Sequence, residues 1–105
     1  MCVALTEQTT ERMLRAMHRL PDYVDMVEVR LDYMQEPDVE ALCRGRDRPL
    51  IATNRPAREG GQWRGEETPR LQLLQQAAEA GAEYIDVELD SADRLPELPG
   101  GTRRI

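Results

Sequence analysis

Lysine is missing from this chain: its 14 basic side chains other than histidine are all arginine. A primary amine is the group that condenses with a carbonyl, and the guanidinium stays protonated, so no side chain here can form a Schiff base. Phenylalanine is also absent, with one Trp and three Tyr, so the core has to be built from Leu, Val, Ile, Met and Ala. Cys2 and Cys43 are the only cysteines. They are too few and too far apart for a metal site or a disulfide framework, and they read as small apolar fillers in a reduced compartment. No apolar run approaches the roughly 18 residues of a membrane span, and the N-terminus lacks a signal-peptide pattern. The expectation is a soluble cytoplasmic protein without a membrane association. A net charge of -6 argues against a nucleic-acid surface or an anionic membrane. At 105 residues the chain is one domain, residues 1–105, burying about two thirds of its unfolded surface.

What is present is a repeat. Asp25-Met26-Val27-Glu28-Val29-Arg30-Leu31-Asp32 and Glu83-Tyr84-Ile85-Asp86-Val87-Glu88-Leu89-Asp90 are near copies that alternate apolar and charged residues. As strands, the first puts Val27, Val29 and Leu31 on one face and Glu28, Arg30 and Asp32 on the other; the second opposes Ile85, Val87 and Leu89 to Asp86, Glu88 and Asp90. Each copy follows a helix-like segment, which argues for βα units in a parallel sheet, and such strands are normally apolar on both faces. Charges on one face then mark either a solvent-wetted edge or a polar pocket at the mouth of a barrel or open sheet.

The remaining units follow with little linker. Residues 2–6 form a short apolar run, and Thr9 or Thr10 caps a helix carrying Met13, Ala16, Met17 and Leu20 at helical spacing, ended by Pro21. Pro37 and Asp38 open a short helix with Val39, Leu42 and Cys43 on one face, stopped at Gly45. Residues 49–54 read as a third strand. After a loop, Thr68 caps and Pro69 begins a helix with Leu71, Leu74 and Ala78 on one face, closed by Gly81. The second charged strand spans 84–90, residues 91–98 form a short Pro-interrupted helical piece, and residues 102–105 start another strand. Four parallel strands, near 2–6, 25–32, 49–54 and 84–90, are expected with helices on one side, and strands one and four are expected as unpaired edges.

The loop after the third strand presents Arg55 at its carboxyl end, with Glu59, Gly60 and Gly61 close behind. A guanidinium, a carboxylate and a pliable backbone thus lie at the end where α/β folds bind ligands. Arginine suits a carboxylate or phosphate through bidentate pairing. The glycines by themselves are equally compatible with an ordinary turn.

Three motifs, Glu28-Val29-Arg30-Leu31-Asp32, Thr53-Asn54-Arg55-Pro56 with Glu59-Gly60-Gly61, and Asp86-Val87-Glu88-Leu89, resemble in order and spacing the first half of type I 3-dehydroquinate dehydratase. The resemblance implies a (β/α)8 TIM barrel of which this chain supplies about the first four βα units, a half-barrel. It implies a lyase of the shikimate pathway of aromatic amino acid biosynthesis, converting 3-dehydroquinate to 3-dehydroshikimate and water with no metal and no organic cofactor. Carried over, Glu28, Arg30 and Arg55 are substrate-binding, Glu59 orients the catalytic histidine, and Asp86 and Glu88 belong to a supporting polar layer. Ala4 and Asn54 depart from the usual family residues.

The larger departure is in the chemistry. The family's histidine lies at the end of strand five and its Schiff-base lysine at the end of strand six, whereas this sequence reaches Ile105 as strand five begins. His18 lies in a helical pattern and reads as a surface residue. The expectation is an N-terminal portion of a dehydratase, inactive alone, that associates with the missing C-terminal half or forms a homodimer. The alternative is a free-standing, non-catalytic half-barrel that binds an anionic ligand or a protein partner.

Overall fold

The computed structural model describes residues 1–88 and 102–105. Five parallel strands, β1 (Cys2–Leu5), β2 (Met26–Arg30), β3 (Leu50–Thr53), β4 (Tyr84–Asp86) and β5 (Arg103–Arg104), lie side by side in chain order. Three helices connect the first four: α1 (Thr10–His18), α2 (Val39–Arg44) and α3 (Glu67–Glu79). Strand, helix, strand in strict alternation, with each strand beside its predecessor, is half of a (β/α)8 barrel.

The two faces of the sheet divide by residue parity. Val27, Val29, Leu50, Ala52, Ile85 and Val87 are buried and pack with Met13 and Met17 of α1, Leu42 of α2 and Leu74 of α3. Each large apolar side chain withdrawn from water in this layer contributes about 1.5–3 kcal/mol. The opposite parity carries Glu28, Arg30, Ile51, Tyr84 and Asp86, all partly exposed.

Local signals set the helix ends. The Thr9 hydroxyl accepts from the Arg12 N–H at 3.1 Å, capping α1, while Thr10 accepts from the Asp38 N–H. Asp38 caps α2 through the Ala41 N–H at 3.0 Å. Gly45 follows α2 closely enough that a Cβ would meet Leu14 at 2.8 Å. At the end of α3, Gly81 adopts φ +100, and the bonds Ala82 N–H to Ala77 C=O and Gly81 N–H to Ala78 C=O form a Schellman motif.

Five expectations are corrected. The helix α3 starts at Glu67 and its N-cap is Glu66, so Thr68 is not the cap; Pro69 fits inside the first turn, where backbone N–H groups lack helical partners anyway. β2 ends at Arg30, because residues 31–33 turn into a single 3₁₀ turn that carries Asp32 inward. β4 is not an edge, since β5 pairs with it, Tyr84 opposite Arg103 and Ile85 opposite Arg104. Cys43 is a buried filler as expected, but Cys2 is exposed. β4 ends at Asp86, short of the expected 84–90, and Leu89, Asp90 and the segment expected as helical at 91–98 lie outside the described residues.

Candidate functional site

Charged side chains gather at the carboxyl ends of β2, β3 and β4. The register places Glu28 beside Ile51 and Arg30 beside Thr53, and Thr53 beside Asp86. Neighbours in a parallel ladder share a face, so Glu28, Arg30, Thr53 and Asp86 belong to the side away from the helices. The contacts agree with this placement. The Thr53 hydroxyl donates to Glu28 Oε2 at 2.6 Å, and Arg55, just past the end of β3, donates from Nη2 to Asp86 Oδ2.

Arg30 is the most firmly held member. Its Nε and Nη2 donate to Asp32 Oδ1 and Oδ2 at 3.1 and 2.8 Å, and its guanidinium carbon lies 5.1 Å from the centroid of the Tyr33 ring. Hydrogen bonding to Asp32 raises the Arg30 pKa above its ordinary value, against the opposing effect of burial. Asp32 also accepts the Gln62 backbone N–H at 2.9 Å, which ties the loop after β3 to the end of β2.

That loop closes on itself from Arg55 to Trp63. The Trp63 N–H donates to the Arg55 carbonyl at 3.2 Å, and the Gly61 N–H to the Pro56 carbonyl at 3.0 Å. Its two glycines are required for different reasons. Gly60 takes φ +83, a left-handed conformation that costs glycine little. At Gly61 a Cβ would stand 2.0 Å from the Arg55 carbonyl oxygen, so no larger residue fits. Glu59 sits in the 3₁₀ turn Ala57–Glu59; it is exposed.

Glu88 has a different environment from Asp86. It pairs at 3.1 Å with Arg70 of α3, whose side chain is completely buried and also meets both oxygens of Glu67 at 2.8 Å. Arg70 Nη1 donates to the Asn54 carbonyl at 2.7 Å, and Asn54 Nδ2 donates back to the Arg70 carbonyl at 3.2 Å. Burial opposes the Arg70 charge, but Glu67 and Glu88 outweigh it and raise its pKa. His18 is exposed, with Nε2 2.6 Å from the Gly45 carbonyl. The N-terminal amine pairs with Asp25, at the opposite end of the sheet.

Of the residues expected in the site, the structure brings together Glu28, Arg30, Arg55 and Asp86. Glu59 projects from the adjoining loop, and Glu88 belongs to the link between α3 and β4. Sequence reasoning missed Asp32 and Arg70. Asp32 was legible only as one more charge on a strand face. Arg70 carried a better signal: it shares the helical stripe of Leu74 and Ala77, where an arginine is out of place, and Glu67 stands three residues before it.

A parallel sheet with helices on one side and a charged cluster at the carboxyl ends of its strands defines an α/β protein of the TIM-barrel kind. The chain belongs to the type I 3-dehydroquinase family, whose model matches residues 1–99. It is 42% identical over 92 residues to the 3-dehydroquinate dehydratase of Desulfotalea psychrophila, covering 88% of this chain and 40% of that protein. To the 3-dehydroquinate dehydratase of Methanothermobacter thermautotrophicus it is 36% identical over 108 residues, covering 98% and 48%. Among solved structures, the type I 3-dehydroquinate dehydratase of Clostridium difficile superimposes with a TM-score of 0.75 at 26% identity, covering 89% of this chain and 41% of that one. The chain spans less than half the length of these relatives.

Proposed function

We propose that this chain provides the substrate-holding part of a 3-dehydroquinate dehydratase site, with Arg30 and Arg55 orienting the substrate and Glu28 accepting from its hydroxyls. The observation that carries the reading is the convergence of Glu28, Arg30 and Arg55 on the open side of the sheet, in a chain whose relatives are dehydratases. A guanidinium held in place donates oriented, charge-assisted hydrogen bonds to a carboxylate, and such positioning lowers the entropic part of a barrier. In this reading Glu59 projects from its turn to orient a histidine, and Asp86 supports Arg55. No metal or organic cofactor takes part.

The amine of the Schiff base has to come from elsewhere, since the chain has no lysine and its N-terminal amine is engaged by Asp25 away from the site. The 105-residue chain alone is therefore inactive, and the partner is a polypeptide carrying that lysine. Two measurements test the proposal. Borohydride reduction of the chain with 3-dehydroquinate is expected to leave its mass unchanged; an adduct on any of its side chains would overturn the assignment. Co-expression with the complementary portion of the Desulfotalea psychrophila enzyme is expected to yield dehydration, followed by the absorbance of the enone product, that Arg55→Ala abolishes. An equally active Arg55→Ala protein, or no activity from the assembled pair, would count against it.

A further inference from the structure

We propose that Asp32 is a positioning residue of this site, one carboxylate that fixes the Arg30 guanidinium and the loop from Arg55 to Trp63 in a single relation. The inference rests on the reading of Arg30 as a substrate-holding group. The Asp32 side chain has no exposed surface, and both of its oxygens are committed. Oδ1 accepts from Arg30 Nε, while Oδ2 accepts from Arg30 Nη2 and from the Gln62 N–H.

Side-on pairing of this kind fixes the plane of a guanidinium as well as its position. The Tyr33 ring, a cation–π partner, restrains its face. Asp32 and Tyr33 thus hold one edge and one face of Arg30. Its Nη1 makes no hydrogen bond among the described residues, and by the shape of the guanidinium this edge is turned away from Asp32. That is the edge left to meet a ligand oxygen.

The sheet itself does not call for this carboxylate. Asp32 lies beyond the last residue of β2, in the 3₁₀ turn that follows, and both of its partners belong to the mouth of the site. A buried carboxylate needs compensation, and among the described residues it comes from Arg30 and from the Gln62 N–H of the adjoining loop. Asp32 touches no substrate itself; it acts through Arg30 and through the loop that bears Glu59. Displacing it releases both at once, and that coupling separates a positioning residue from a generic stabilising one.

The test uses the ¹⁵N-labelled 105-residue chain. Arg30 Nε–Hε is expected to resonate downfield and to exchange slowly, unlike that of exposed Arg12. Asp32→Asn is expected to remove this signature, shift the Gln62 amide, and weaken the 3-dehydroquinate affinity read by titration about tenfold or more, the scale of a lost charge-assisted bond. Asp32→Glu, which restores the charge, is expected to recover part of both. Val39→Ala, a destabilising change in the α2 core, serves as the control for stability alone and is expected to leave the Arg30 signature and the affinity unchanged. An Arg30 signature or an affinity that survives Asp32→Asn would overturn the proposal, as would an equal loss in Val39→Ala. If the unaltered chain does not bind 3-dehydroquinate, the substrate-holding reading fails for this chain, and the Arg30 and Gln62 signals still decide whether Asp32 positions them.

Discussion

The two near-identical strand segments, 25–32 and 83–90, use the same alternation to opposite ends. In the first copy Arg30 and Asp32 compensate each other locally, because Arg30 takes both oxygens of Asp32 two residues away. In the second copy the described acids all draw an arginine from another element. Glu83 meets Arg46 after α2, Asp86 meets Arg55 after β3, and Glu88 meets Arg70 within α3. The aligned positions Arg30 and Glu88 even differ in sign. A period-two pattern therefore fixes which face a charge occupies, while its counterion depends on what the fold brings alongside.

The same contrast separates the ends of the two copies. Asp25 and Glu83 occupy equivalent positions, yet Asp25 is an exposed partner of the N-terminal amine. Glu83 accepts from Arg46 Nε and Nη2 and from the Leu50 N–H, all at 3.0–3.1 Å. It thereby joins the start of β3 to the start of β4.

The sharpest way to break this comparison is at its most buried contact. Arg70→Ala removes the counterion of Glu88 and Glu67 from a fully buried position, and breaking such a pair costs about 3–5 kcal/mol. Urea unfolding is expected to show that loss. A change below 1 kcal/mol would mean that the second copy does not depend on its imported arginines.

A smaller effect is expected at Glu83. Burial tends to raise its pKa, but the Arg46 pair and the Leu50 N–H outweigh that and hold it below its ordinary 4.5. A carboxylate with a depressed folded pKa contributes stability above its unfolded value and loses it as pH falls through the folded one. The expected outcome is a drop in melting temperature on acidification below pH 4.5 that Glu83→Gln makes shallower. With the side chain 36% exposed, its worth at neutral pH is reduced by solvent screening to about 1 kcal/mol or less. An acid transition unchanged in Glu83→Gln would contradict the assignment.

The smallest effect belongs to the equivalent position in the first copy. Asp25→Asn is expected to leave the urea midpoint unchanged, since an exposed ion pair contributes little. A midpoint shift as large as that of Glu83→Gln would erase the distinction between the copies.

How much of this was legible in the sequence follows from the range of each interaction. The strands near 2–6, 25–32 and 49–54, the caps at Thr9 and Asp38, and the stop at Gly81 were readable because caps and face alternation depend on residues within a turn or two. Glu28, Arg30 and Arg55 were named together through the family resemblance, and they are neighbours because the adjacent strands β2 and β3 of a parallel sheet end at one rim. The start of α3 was misread because Thr68 and Pro69 together mimic a cap and first residue, while the backbone began its turn at Glu67.

By itself, the sequence determined that the basic side chains other than His18 are all arginine, and the β/α rhythm, through local periodicity. Only the tertiary structure decided which carboxylate serves which arginine. Arg55 and Asp86 are separated by 31 residues, and Arg46 and Glu83 by 37. Such pairs are chosen by strand register and by the direction in which each loop leaves the sheet. It also decided that Asp32 turns inward and that Arg70 lies in the core, because the cost of burying a charge is met only when partners from several elements arrive at the same place.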